Sequence, residues 1–328
     1  AQEAADGSKD TAELLNDAER RIYDIGMRSS DDNMEAIAPV YSRVFRHIGR
    51  LMQLDGQHTG LPTGFIDLDN VTSGLQKSDL IIIAGRPSSG KTSLAINIAT
   101  HAAIREGATV AVFSLEMSKE QLVTRIMSTE SGVSMQKIRT GTVSPEELLK
   151  IAFDYNSIGD AQLLIDDTPA ISVAELRSRC RRIKARQGLD LVVIDYLQLM
   201  QANARVESRV QAVSEMTRGL KIVARELDVP IILLSQLSRK PDDRPDHTPV
   251  MSDLRESGSI EQDADVIMML YRPAAYIDTD EYRDHNNITY LNLTKHRNGA
   301  TGKIRLTWIP ELTKFANYID EENLPGQS

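Results

Sequence analysis

The residues best suited to chemistry in this sequence are a lysine and a threonine that close a glycine-bracketed loop. Residues 85–92, GRPSSGKT, fill every position of G-x-x-x-x-G-K-[ST]. Gly85, Arg86, Pro87, Ser88, Ser89 and Gly90 form a loop of mostly small residues. Backbone N–H groups in such a loop turn inward around phosphate oxygens, with the positive end of the next helix behind them. Lys91 is expected to reach the β- and γ-phosphates, the Thr92 hydroxyl to hold Mg²⁺, and Ser93 to complete the phosphate contacts. A chance glycine turn is the bland alternative. The run Ile81, Ile82, Ile83 just before it is too short for a buried helix and reads as a strand buried on both faces.

Other candidates stand at the ends of hydrophobic runs. Asp195 ends LVVID, where a Walker B aspartate binds Mg²⁺ beside Thr92; a helix cap or surface turn is its alternative. Glu116, in FSLEMS, is placed to polarise an attacking water or, more simply, to cap the next helix. Gln236 follows IILLS and would donate to the γ-phosphate or to that water. Lys295 and Arg297 flank His296 on a late hairpin. They read either as an arginine finger with a second cation or as a solvated hairpin tip.

The elements that must position these groups alternate strand and helix, the mark of a parallel α/β sheet. A helix runs from the loop to about residue 106 and is stopped by Gly107. Strands are expected at 109–115, 191–194 and 230–234, and a meander at 266–271, 288–295 and 302–309. Ser144 with Glu147 and Ser172 with Glu175 form capping boxes that open helices. A further helix is expected at about 207–227. Ahead of the loop, apolar residues at helical spacing predict a helix over 11–27, a polar break at 28–33 and a second helix at about 34–54. The first packs on its own domain or on a neighbouring subunit. The expected domains are therefore 1–32, a linker helix with its break, and 33–328, an α/β nucleotide-binding body.

The sequence has 328 residues, 41% hydrophobic and 26% charged, which suits a soluble globular chain with a large core. The net charge of −9 excludes a broad basic surface for coating nucleic acid, so any such contact must be local. Six basic side chains in 177–186, RSRCRRIKAR, spread around a helix and suit a solvated face or partner surface better than nucleic acid. The loop at 239–251 reads as mobile and exposed, a contact loop. One cysteine, Cys180, excludes an internal disulfide and fits a reducing compartment. With no signal-like start and no membrane-length apolar run, the expected location is the cytoplasm.

TGFIDLDNVTSGL, AGRPSSGKT, FSLEMS, VVIDYLQLM, IILLSQLSR, SDLRESGSIEQDAD and KHRNG follow one another in an order that closely resembles the C-terminal motor of DnaB-type bacterial replicative helicases. The resemblance spans about residues 11–320, and SDLRESGSIEQDAD carries most of its specificity. It implies a RecA-like fold with a mostly parallel sheet, ATP and Mg²⁺ as cofactors, and a homo-hexameric ring moving 5′ to 3′ on single-stranded DNA. Carried onto this sequence, Lys91 and Thr92 serve phosphate and Mg²⁺, and Asp195 is the Walker B acid. Glu116 is the catalytic glutamate, Gln236 the sensor, and Arg297 with Lys295 serves the ATP of a neighbouring subunit. DNA-backbone contacts map onto Arg239, Arg255, Glu256 and Gly258. The helix at 11–27 resembles the family's linker helix. The collar domain that precedes it in full-length members is expected to be missing, which puts collar-dependent primase contact in doubt. Primase, a helicase loader and replicative polymerase subunits are the remaining implied partners. A RecA- or KaiC-like ATPase without unwinding, or a nucleotide-gated assembly switch, are the rival readings.

Overall fold

Runs of Ile, Val and Leu too short for buried helices become the central strands of a nine-stranded sheet. The computed structural model describes residues 35–52, 58–201, 208–244, 246–254, 258–273 and 287–319. The chain divides into two units, residues 1–57 and 58–328. In the first, α1 (Ile37–Leu51) bears out the expected second helix, with Tyr41 stacked on Phe45 at 6.4 Å and Arg43 paired with Glu35. The helix expected at 11–27 and its polar break lie outside the described residues.

The second unit begins with a short helix, α2 (Ile66–Thr72), followed by β1 (Leu80–Gly85) and, across the glycine loop, α3 (Lys91–Ile104). After β2 (Val110–Ser114) come α4 (Lys119–Ser131), α5 (Met135–Thr140) and α6 (Pro145–Gly159). The chain continues through β3 (Leu163–Asp166), α7 (Val173–Gln187), β4 (Leu191–Asp195), α8 (Arg209–Leu227) and β5 (Ile231–Gln236). It ends with α9 (Gly258–Asp263), β6 (Val266–Tyr271), β7 (Ile288–His296), β8 (Gly302–Ile309) and β9 (Lys314–Asn317). The strand order is β3-β2-β4-β5-β1-β6-β7-β8-β9. The first six are parallel and the last three add antiparallel pairings. This is the doubly covered, mostly parallel sheet of a RecA-like fold. Among the described residues no helix is long and apolar enough to cross a membrane.

Strand alternation explains why the central runs are hydrophobic throughout. Ile81 and Ile83 face the core that contains α3, while Leu80, Ile82 and Ala84 face the one that contains α7 and α8. Each buried Ile contributes roughly 1.5–3 kcal/mol. Both expected capping boxes form: Ser144 and Glu147 bond reciprocally at α6, and Ser172 and Glu175 at α7. The basic run falls on α7, where four of its six cations are held within the chain. Arg177 and Arg181 pair with Glu226, Arg179 with Asp166, and Lys184 with the Leu227 carbonyl. The sequence reading gave α2, α4, α5, β3, α9 and β9 no element of their own. Most are short, and only α4 carried a clear cap signal.

Candidate nucleotide site

All of the chemistry-bearing strand ends but one pair converge on one cavity of about 650 Å³ at the carboxyl edge of the sheet. The loop from β1 supplies Pro87, Ser88, Gly90 and Lys91, and the start of α3 supplies Thr92 and Ser93. Glu116 enters from the segment after β2, Asp195 from the end of β4 and Gln236 from the end of β5. Parallel strands pointing the same way place their following loops side by side. Gly90 needs its lack of a side chain twice over. Its φ is +97°, and a Cβ there would lie 2.8 Å from the Phe315 ring. At Gly85 a Cβ would meet the Ser89 hydroxyl at 2.5 Å.

The polar groups at this edge are only partly paired within the chain. Arg125 Nε, from a residue that lines the cavity, and Ser89 Oγ, in the glycine loop, are buried and find no partner among the described residues. Lys91 Nζ donates to the Arg86 carbonyl at 3.0 Å, and burial lowers its pKa to about 8 against the opposing charges of Asp195 and Glu116. Asp195 is 4% exposed, and its carboxylate accepts from the Thr92 hydroxyl at 2.7 Å. Burial raises its pKa, the Thr92 hydrogen bond opposes that, and the Glu116 charge adds to it. An anionic carboxylate and a hydroxyl side by side are hard oxygen donors, the set that Mg²⁺ takes alongside water and phosphate oxygens. Glu116 is exposed to the cavity, and the capping role that rivalled it falls to Ser118, whose hydroxyl accepts from the Gln121 N–H.

The loop after β5 is joined to the glycine loop. Arg86 donates through Nε and Nη2 to Asp242, at 3.1 and 2.6 Å, and Leu237 N–H donates to the Gly85 carbonyl. The sequence reads residues 239–251 as a mobile contact loop, whereas Arg244 clamps the buried Asp253 through two 2.6 Å hydrogen bonds and Tyr271 holds the Asp246 carbonyl. Arg239 is exposed at its start, and a bridge pairs Leu237 with Leu254. Arg255 and Glu256 lie outside the described residues.

Lys295 and Arg297 are the exception. Arg297 donates to Asp265 at 3.0 Å and to the Gln262 carbonyl at 3.2 Å. Lys295 donates to the Ala264 and Glu261 carbonyls. Asp265 in turn accepts from the Leu80 N–H, at the start of β1. The cations therefore sit at one end of β1 and the glycine loop at the other, roughly 17 Å apart along the strand.

Comparison with known proteins fits this geometry. The DnaB-like helicase C terminal domain family matches residues 60–317. The chain belongs to this family. It is 46% identical over 316 residues to the replicative DNA helicase DnaB of Geobacillus stearothermophilus, covering 95% of this chain and 69% of that protein. It is 43% identical to the replicative DNA helicase DnaC of Bacillus subtilis, covering 99% and 72% respectively. A solved structure of a DnaB-like replicative helicase, described with its interactions with primase, superposes with a TM-score of 0.77 at 35% identity. It covers 93% of this chain and 72% of that one. A solved ATPase domain matches with a TM-score of 0.82 at 36% identity, covering 88% of this chain and all of that one.

Among the residues of this DnaB-like site, the sequence reading passed over Arg125, Gln121, Trp308 and Gln198. Burial depresses the Arg125 pKa, with the Asp195 and Glu116 charges opposing, and its Nη1 lies 3.5 Å from the Ser93 hydroxyl. Ser118 and Gln121 are a capping box in plain sequence, and Gln121 and Arg125 are four apart on the helix it opens. That signal was available. Trp308 and Gln198 had none, because only the tertiary fold brings β8 beside Gly90 and seats Gln198 between Ser235 and the Gln236 N–H.

Proposed function

We propose that this replicative DNA helicase motor hydrolyses ATP at sites completed between copies of itself. The motor is residues 58–328 rather than the expected 33–328, a later boundary supported by the division of the chain and by the family match from residue 60. In each site Lys91 and the loop N–H groups hold the β- and γ-phosphates. Thr92 and Asp195 hold Mg²⁺, which neutralises phosphate charge when bound. Glu116 accepts the proton of the attacking water, and Gln236 touches the γ-phosphate or that water. Arg125 adds a partly buried positive charge. Neither an assembly switch nor an ATPase without unwinding is favoured by the family membership.

One observation carries the assembly: Lys295 and Arg297 lie at the opposite end of β1 from the phosphate loop of their own chain. They can neutralise γ-phosphate charge only on a neighbouring copy. A closed homo-hexamer tracking single-stranded DNA 5′ to 3′ supplies such a neighbour to every site. Arg239, Arg255, Glu256 and Gly258 would contact the DNA backbone, a local ring of donors compatible with an acidic chain. Primase, a loader and polymerase subunits are partners of the same reading, and a cytoplasmic location belongs to it as well.

Mixing two inactive variants tests this. Lys91→Ala lacks the phosphate-loop lysine but keeps its finger, and Arg297→Ala is the reverse. Each alone should show little DNA-stimulated ATPase or strand separation on a forked duplex. Mixed rings should regain activity, because some sites unite an intact loop with an intact Arg297. No recovery on mixing, although both variants assemble, would sink the shared-site reading.

A further inference from the structure

Asp265, the last residue of SDLRESGSIEQDAD, belongs to no role assigned so far. It is 2% exposed, and its carboxylate is shared by three elements. Oδ2 accepts the Leu80 N–H at 2.9 Å and also the Lys221 ammonium from α8. Oδ1 accepts Nη1 of Arg297 at 3.0 Å. The backbones are joined too. The Arg297 N–H donates to the Asp265 carbonyl at 2.9 Å, and the Asp265 N–H donates to the Leu80 carbonyl at 2.9 Å.

Arg297 itself is half-exposed, so a long side chain at a hairpin turn would otherwise sample many rotamers. Asp265 holds one edge of the guanidinium, and the Gln262 carbonyl at the end of α9 holds another amine at 3.2 Å. An arginine that must meet developing phosphate charge gains most when its geometry is fixed beforehand. Lys221 has a separate task. It offsets the charge of a carboxylate that the fold has taken out of water.

We propose that Asp265 is the positioning residue for Arg297, aiming the guanidinium across the interface towards the neighbour's γ-phosphate. The proposal rests on the reading of Arg297 given above. The same carboxylate ties Arg297 to the start of β1, whose other end is the chain's own phosphate loop. It also ties Arg297 to the segment directly after α9, which starts at Gly258. Asp265 therefore sets the finger's place relative to both the strand that leads to the chain's own phosphate loop and the helix that starts at Gly258.

A double-mutant cycle on the full chain tests it. Asp265→Asn should lower DNA-stimulated kcat roughly tenfold or more, the scale of a misplaced catalytic group, while a fluorescent triphosphate analogue binds as before. In the Arg297→Ala background the same substitution should cause no further loss, because its effect passes through Arg297. A purely structural role would instead lower turnover in both backgrounds and weaken nucleotide binding. Lys221→Gln combined with Asp265→Asn removes the buried ammonium along with its partner. If Asp265→Asn alone does not fold, this pair carries the same cycle. Full turnover in Asp265→Asn, or an equal loss in both backgrounds, overturns the proposal while leaving Arg297 in its role. Full turnover in Arg297→Ala overturns both.

Discussion

The two ends of β1 are built to opposite rules. At the carboxyl end several groups are under-satisfied: Ser89 Oγ and Arg125 Nε have no partner among the described residues, and Lys91 rests on a carbonyl beside an open cavity. At the amino end Asp265 is engaged by a backbone N–H and two cations, and Lys295 and Arg297 are each held on backbone carbonyls. Buried polar atoms without partners are costly, so a fold retains them where a ligand will complete them. Fully paired ions instead fix a geometry. One end receives, and the other holds in place what a neighbour is to receive.

Substitutions at the receiving end should cost activity without costing the fold. The largest effect is expected for Glu116→Gln, which removes the base but keeps the shape. Turnover in the presence of single-stranded DNA should fall roughly 10²–10⁴-fold with nucleotide affinity retained. Unchanged turnover would return Glu116 to the solvated surface. Lys91→Ala should weaken triphosphate binding roughly ten- to a hundredfold in a fluorescence titration, the range for a lost charge-assisted contact.

Lys91 also gives the receiving end a pH dependence. Burial holds its pKa at about 8, below the ordinary lysine range. The ligand-free fold carries the cost of the buried ammonium below pH 8 and is relieved of it as pH rises above that value. Triphosphate binding has the opposite slope, because phosphates favour the charged form. Affinity should fall as pH rises through about 8, by at most about tenfold per unit, with proton uptake measurable by calorimetry in buffers of different ionisation enthalpy. A flat affinity profile from pH 7 to 10 would show that Lys91 stays charged there unaided.

The smallest effect is expected at Asp79, beside the holding end, and should appear in stability alone. Burial, then the charge of Asp265, pushes Asp79 up to about 6, against Lys221, His296 and Arg297. A raised carboxyl pKa favours the fold while the group is neutral. That contribution is full below pH ~4, declines between about 4 and 6, and is gone above 6. Asp79→Asn should therefore stabilise the chain at pH 7 by on the order of 2 kcal/mol in urea melts. The gain over wild type should shrink towards pH 4. Equal stability of the two proteins at pH 7 would mean that the cations already compensate Asp79 fully.

Much of this was legible locally. The Ile run, GRPSSGKT, the two capping boxes and the strand-ending Asp195 each needed fewer than ten residues to announce themselves. The physics behind them, alternation in strands, caps on helices and glycines at positive φ, acts over that range. Arg125 was legible as well, through the box at Ser118 and Gln121. The compactness of residues 239–251 was not, because the Arg244–Asp253 clamp is a choice of partner that exposed polar composition leaves open.

By itself the sequence determined the phosphate loop, the strand–helix alternation and, through its ordered motifs, the family. Only the tertiary structure decided who meets whom. Thr92 bonds Asp195 across 103 residues, and the Leu80 N–H meets Asp265 across 185. Such pairings follow from strand order, which brings β4 and β5 to one side of β1 and β6 to the other. The same order sends Arg297 to the far end of the strand that begins the phosphate loop. No local pattern encodes that separation, because it arises from β7 running antiparallel to β6.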